Sequence, residues 1–99
     1  MASRKHVTRG QKTVLRLYVA GISARSTRAI QNARRICDET EGSCELAVID
    51  IFQQPNLAKD DQIVAVPTII KKLPPPSRRV SGDLSNLDVI RVGLDLEPE

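Results

Sequence analysis

The sequence predicts a single mixed α/β domain, and three stretches carry that prediction. Branched apolar runs at 13–20 and 44–51 flank a segment whose apolar residues recur at helical spacing, which is a βαβ unit. A third run, TIIKKL at 68–73, follows Val66-Pro67 and leads into three consecutive prolines, Pro74, Pro75 and Pro76. No regular element runs through such a triplet, so the second half must be built from short pieces around it. At 99 residues the chain buries a modest core with a small margin of stability.

In chain order, residues 1–12 are polar, basic and without period, and read as a flexible N-terminal arm; 13–99 reads as the domain. The arm has no apolar h-region and no run nears the ~18 residues of a membrane span. The expected location is therefore the cytoplasm. TVLRLYVA at 13–20 is apolar almost throughout, as a central strand covered on both faces would be. Gly21-Ile22-Ser23 is the exit turn, and Ser23 or Ser26 can cap a helix. Ala29, Ile30, Ala33, Ile36, Cys37 and Thr40 form its buried stripe. Arg34 with Asp38, and Arg35 with Glu39, are i,i+4 pairs on its other side, and Gly42 ends it as a C′ residue.

CELAVIDI at 44–51 is the second strand, parallel to the first through a right-handed crossover. Pro55 opens a short helix, weakened by Asp60 and Asp61 at its negative end. Pro67 is the first candidate for a cis peptide. Residues 78–81 form a fourth strand antiparallel to the third. Ser85 is the expected N-cap of a last helix, with Leu84 and Val89 as a hydrophobic staple and Leu87, Ile90 and Leu94 as its apolar face.

That tail has a second reading. Ile90, Val92, Leu94 and Leu96 alternate strictly with Arg91, Gly93, Asp95 and Glu97, the period of a strand. Gly93 costs a helix about 1 kcal/mol relative to alanine. Two elements on one stretch is the pattern of a chain with two packings close in energy. With the tail helical, the order βαβαββα is the thioredoxin-like layout, and Pro67 falls at its cis-proline. The redox segment of that layout would be 21–26, which reads GISARS and holds no cysteine, so the fold is expected without thiol chemistry there.

The net charge of +3 conceals an asymmetry: nine basic and no acidic residues over 1–37, six basic and twelve acidic over 38–99. Tyr18 and Phe52 are the only aromatics, thin for stacking on bases, so an acidic protein partner is favoured over nucleic acid. Cys37 and Cys44 match neither CxxC nor zinc spacing, and a disulfide between them is not expected in a cytosolic protein. His6, the only histidine, lies in the arm; there is no phosphate-binding glycine loop; Asp60-Asp61 reads as a solvated pair. No catalytic, cofactor-binding or metal-ligating residue is expected, and the protein is read as a non-enzyme.

LRLYVAG at 15–21, VID at 48–50, Pro55 to Ala58 with Asp61, Pro67-Thr68, LPPP at 73–76, Arg78-Arg79, GDLSN at 82–86 and GLDL at 93–96 resemble the KaiB family. The resemblance implies a circadian-clock regulator with two folds. One is a ground-state βαββααβ homotetramer with the tail as a strand. The other is a fold-switched thioredoxin-like monomer, and the preferred expectation here is that state. The resemblance implies that this monomer binds the N-terminal ATPase ring of a KaiC-like protein, captures KaiA and displaces the sensor kinase SasA. By position it implies partner contacts at Arg28, Lys71, Arg78 and Arg79. It places the fold switch at Pro67, Pro75, Gly93 and Asp95, with replacement of Gly93 or Asp95 favouring the switched state. The pattern departs at Ala47, where a lysine is usual, and at Val66, where threonine is usual. These departures bear on KaiA capture and leave an alternative: a paralogue acting in a stress response, or as another thioredoxin-like interaction module, without a clock role.

Overall fold

The computed structural model describes residues 12–96. The arm expected over 1–12 therefore lies outside the described residues, except for Lys12, which opens the first strand. The elements are β1 (Lys12–Val19), α1 (Ala24–Glu39), β2 (Ser43–Asp50), α2 (Pro55–Asp60), β3 (Thr68–Leu73), β4 (Arg78–Ser81) and α3 (Leu87–Gly93). They form one four-stranded sheet in the order β2-β1-β3-β4. β1 pairs parallel with β2, while β3 runs antiparallel to both β1 and β4. The tail is helical, and the order is the expected βαβαββα.

β1 is central, and its side chains feed two cores. Leu15, Leu17 and Val19 join Ala29, Ala33 and Ile36 of α1, Ile69 of β3, and Leu84, Ile90 and Leu94 around α3. Tyr18 points to the opposite face with Ile49 and Ile70, where Leu57, Ala58, Ile63 and Val66 pack. Burial on both faces explains why β1 reads as a nearly continuous apolar run, interrupted at its centre only by Arg16.

Ser23 caps α1, its side chain accepting from the Ser26 amide at 3.0 Å. The other end differs from expectation: Thr40 is the C-cap, its hydroxyl bonded to the Ile36 carbonyl at 2.7 Å, and Gly42, with φ 81°, turns the chain two residues later. Of the two expected ion pairs on this helix, Arg35–Glu39 forms at 3.2 Å, and Arg34–Asp38 does not close. Cys37 and Cys44 are disulfide-bonded, which corrects the sequence expectation. The short turn brings the end of α1 back to the start of β2 with the two Cα atoms 5.5 Å apart, within bridging reach.

The Val66–Pro67 peptide is cis, as are Leu73–Pro74 and Pro75–Pro76. The Pro67 carbonyl accepts from the Gly82 amide at 3.1 Å, and the Thr68 and Ser81 hydroxyls share a 2.8 Å bond, so the start of β3 is pinned to the end of β4. α3 starts one residue later than expected. Its N-cap is Asn86, not Ser85, with Oδ1 accepting from the amides of Asp88 and Val89 at 2.9 and 3.2 Å. Leu84 is committed instead to the core, and its carbonyl accepts from Asn32 Nδ2 of α1 at 2.7 Å. The expected staple is therefore absent: Val89 is 54% exposed, and Ile90 turns inward.

Candidate functional site

The candidate sites are the tail, which the sequence reads two ways, and the basic residues of the resemblance. α3 closes with two bonds, Asp95 N–H to the Val92 carbonyl at 3.1 Å and Leu96 N–H to the Arg91 carbonyl at 2.8 Å. Asp95 between them has φ 61°. This is a Schellman closure with aspartate in the left-handed position that glycine fills at no steric cost. Gly93 lies one turn-step earlier, inside the helix. A Cβ there would stand 2.3 Å from Val80 Cγ2 of β4. Its lack of a side chain is what lets α3 lie down on the sheet. Pro67 is buried just before β3, its carbonyl held by the Gly82 amide, and Pro75 is exposed in the β3–β4 loop.

The four basic residues do not form one patch. Arg28 is exposed on α1; Arg78 and Arg79 are exposed on β4, opposite Lys71 and Ile70 in the ladder, and so point to opposite faces of the sheet. Arg79 also approaches the Gln62 carbonyl at 3.5 Å. Lys71 is only 2% exposed, on the face that α3 covers. Burial drives its pKa down, and the nearby Asp95 carboxylate offsets this in part. In this packing Lys71 is a core residue and offers no surface to a partner.

On the other face lies a cluster that sequence reasoning missed. Asp61, read as solvated, is the C-cap of α2 with a side chain 9% exposed. Its Oδ2 accepts from the Tyr18 hydroxyl at 2.5 Å and Arg16 Nη1 at 2.9 Å, and its Oδ1 accepts from Lys72 Nζ at 2.6 Å. Burial pushes the Asp61 pKa up, but the bonds from Lys72, Tyr18 and Arg16 prevail and hold it at about 2. Burial and the Asp61 charge raise that of Tyr18. The cluster clamps α2 onto β1 and β3. The available signal was spacing: Arg16 and Tyr18 lie two apart on one strand, hence on one face.

At the end of the sheet where β1 and β2 stop, Asp50 Oδ1 accepts from the Phe52 amide at 2.9 Å and the Gly21 amide at 3.4 Å. The Phe52 ring lies 3.9 Å from where a Gly21 Cβ would sit, yet remains 72% exposed beside a fully exposed Ile22. This is the segment where the thioredoxin layout keeps its redox pair. It presents apolar side chains instead.

A family model for the KaiB domain matches residues 16–96. The circadian clock protein KaiB3 of Synechocystis sp. is 46% identical over 89 residues, covering 89% of this chain and 87% of that protein. The circadian clock oscillator protein KaiB of Prochlorococcus marinus is 49% identical over 84 residues, covering 84% and 80%. Among solved structures, the N-terminal domain of Synechococcus elongatus SasA matches with a TM-score of 0.69 at 23% identity, over 100% of this chain and 98% of that one. Chloroplastic thioredoxin z matches with a TM-score of 0.66 at 16% identity, over 92% and 96%. At these identities the two structures speak for the fold, which is thioredoxin-like. The family match over 16–96 and the extended identity to curated clock proteins carry the rest: the chain belongs to the KaiB family.

Proposed function

We propose that this protein is a non-enzymatic clock regulator that binds the N-terminal ATPase ring of a KaiC-like protein as a thioredoxin-like monomer. The observation that carries the reading is the tail: residues with strand periodicity are packed here as a helix, closed by a non-glycine residue at positive φ. A tail held at that cost suits a chain that exchanges this packing for another, with a homotetramer as its other state. Gly93 and Asp95 set the balance, while Pro67 and Pro75 shape the hairpin that is repacked. Likeness in fold to the SasA domain supports competition for one docking surface, and opposition to KaiA follows on the same ring. Arg28, Arg78 and Arg79 are the contacts available in this state; Lys71 joins them only when the tail leaves it. Action by binding agrees with Asp61 being engaged in structural bonds. The cytoplasm is the proposed location, and among the described residues no helix is long and apolar enough to cross a membrane.

The test is size-exclusion chromatography of the chain with a KaiC hexamer, with and without ATP hydrolysis, and with the SasA domain as competitor. Co-elution that the SasA domain displaces is the expected result; elution of the chain by itself in every condition defeats the reading. The relation to a protein named KaiB3 favours a second reading, a paralogue on a KaiC homologue with no KaiA partner, or a stress-response module. Ring binding unaffected by added KaiA selects the first of these. Absence of ring binding selects the second.

A further inference from the structure

Three interactions meet where α1 ends. Cys37 is bonded to Cys44 at the start of β2. Thr40 closes the helix with its amide on the Cys37 carbonyl at 3.2 Å. Between them Glu39 reaches sideways: one carboxylate oxygen takes Arg91 of α3, and the other takes Arg35 Nε at 3.2 Å. Arg91 in turn holds Asp88 in the first turn of α3 at 3.0 Å. The last turn of α1 is thus a handle by which the βαβ unit grips the polar side of α3. The disulfide is fastened to that same turn, two residues from Glu39. Both cysteines are half-buried, beside the exposed turn at 41–43.

We propose that Cys37 and Cys44 are a reversible thiol–disulfide site whose state tunes the hold of α1 on α3. The oxidant is a small-molecule disulfide such as glutathione disulfide. One cysteine thiolate attacks it and releases one glutathione thiol. The second cysteine then displaces the other glutathione from the mixed disulfide. The balance is two cysteine thiols oxidised, one disulfide reduced, and both protons carried on two glutathione thiols. In the oxidised protein the α1–β2 turn is a closed ring, so the turn bearing Glu39 frays less and Arg91 stays held. In the reduced protein that turn opens more often, and α3 opens with it. In the cytosol, disulfides are characteristically transient and sensing, which fits a site of this kind. The inference rests on the proposed reading that residues 87–96 change packing, and names a regulator of that change.

The experiment compares the full chain in glutathione disulfide and in dithiothreitol. Thiols are counted by mass after alkylation, and amide exchange is read at 87–93 and at Leu15 and Leu17 of β1. Reduction is expected to speed exchange in α3 about fivefold beyond any change in β1. Glu39→Gln is expected to remove that difference while the cysteines still cycle. Cys37→Ser with Cys44→Ser should match the reduced protein in either reagent. Two free thiols in glutathione disulfide, or α3 exchange blind to redox state, overturns the proposal, as does a full redox difference in Glu39→Gln. Binding to the KaiC ring is measured alongside. No binding in either redox state defeats the regulator reading but leaves a redox effect on α3 standing. Ring binding together with redox-blind α3 does the reverse.

Discussion

At Asp61 burial and pairing oppose each other, and pairing prevails; at Lys71 burial prevails. The Asp61 pKa falls from the ordinary 3.8 to about 2. A carboxylate lowered in this way contributes stability that is fully present above pH ~4 and lost as pH falls towards 2. That contribution is about 2 kcal/mol at neutral pH. Asp61→Asn should therefore lose about 2 kcal/mol in urea unfolding at pH 7 and flatten the acid limb between pH 5 and 2. Equal midpoints for variant and parent at pH 7 would contradict the clamp. Lys71 shifts in the same direction, but at pH 7 its contribution is destabilising, because there its disfavoured form is the charged one. Its lowered pKa means that the packed state takes up its proton less readily than the open chain, so packing strengthens as pH rises towards 10.5. Lys71→Met, of similar length and without the charge, should raise stability by about 1–2 kcal/mol at pH 7 in the same assay. Neither residue was legible from sequence. Asp61 looks solvated until the register sets Arg16, Tyr18 and Lys72 on the face that α2 covers. Lys71 looks like any lysine late in a strand until the tail is known to lie on it.

Among the elements, β3 and β4 have the bounds the sequence predicts, because the proline run fills the loop between them and stops β3 at Leu73. The start of α3 was legible only to within a residue. Ser85 and Asn86 are both good caps, and the choice falls to Leu84, whose burial fixes where the helix can begin. The consequence of Gly93 is a packing conflict invisible to periodicity. Gly93→Ala gains about 1 kcal/mol in helix propensity but meets Val80 Cγ2 at 2.3 Å, which costs about 1–3 kcal/mol. By itself the change should be neutral or destabilising for the thioredoxin-like state, against the expectation from the family resemblance that replacing Gly93 favours that state, because the added methyl meets Val80. In a Val80→Ala background it should stabilise, and a double-mutant cycle of urea midpoints will give a coupling of at least about 1 kcal/mol. Independent, additive effects would rule the contact out. Asp95→Gly should strengthen the Schellman closure by about 0.5–1 kcal/mol, read as slower amide exchange in α3. The disulfide is an element-scale device too: closing its short ring contributes about 2 kcal/mol, the loss expected on reduction. Sequence spacing leaves this pairing open; the turn that brings the two Cα atoms to 5.5 Å decides it.

For the whole molecule, the order of periodicities was enough to give the layout, and with it the central place of β1. The state of the tail was not legible, since its two patterns coexist in the same residues and only packing selects between them. The proposed ring contact also belongs at this scale. Arg78→Glu with Arg79→Glu should weaken binding to the KaiC hexamer about tenfold, measured by titration, and leave thermal unfolding unchanged, because both side chains are exposed. Unaltered affinity would move the contact surface elsewhere. The loop between β3 and β4 carries a last consequence. Pro74, Pro75 and Pro76 have no amide hydrogen, so a foreign segment laid along the tip would find carbonyls to donate to and nothing donating back. A margin of that kind cannot act as a template, and this corner of the molecule is guarded against fibrous self-association.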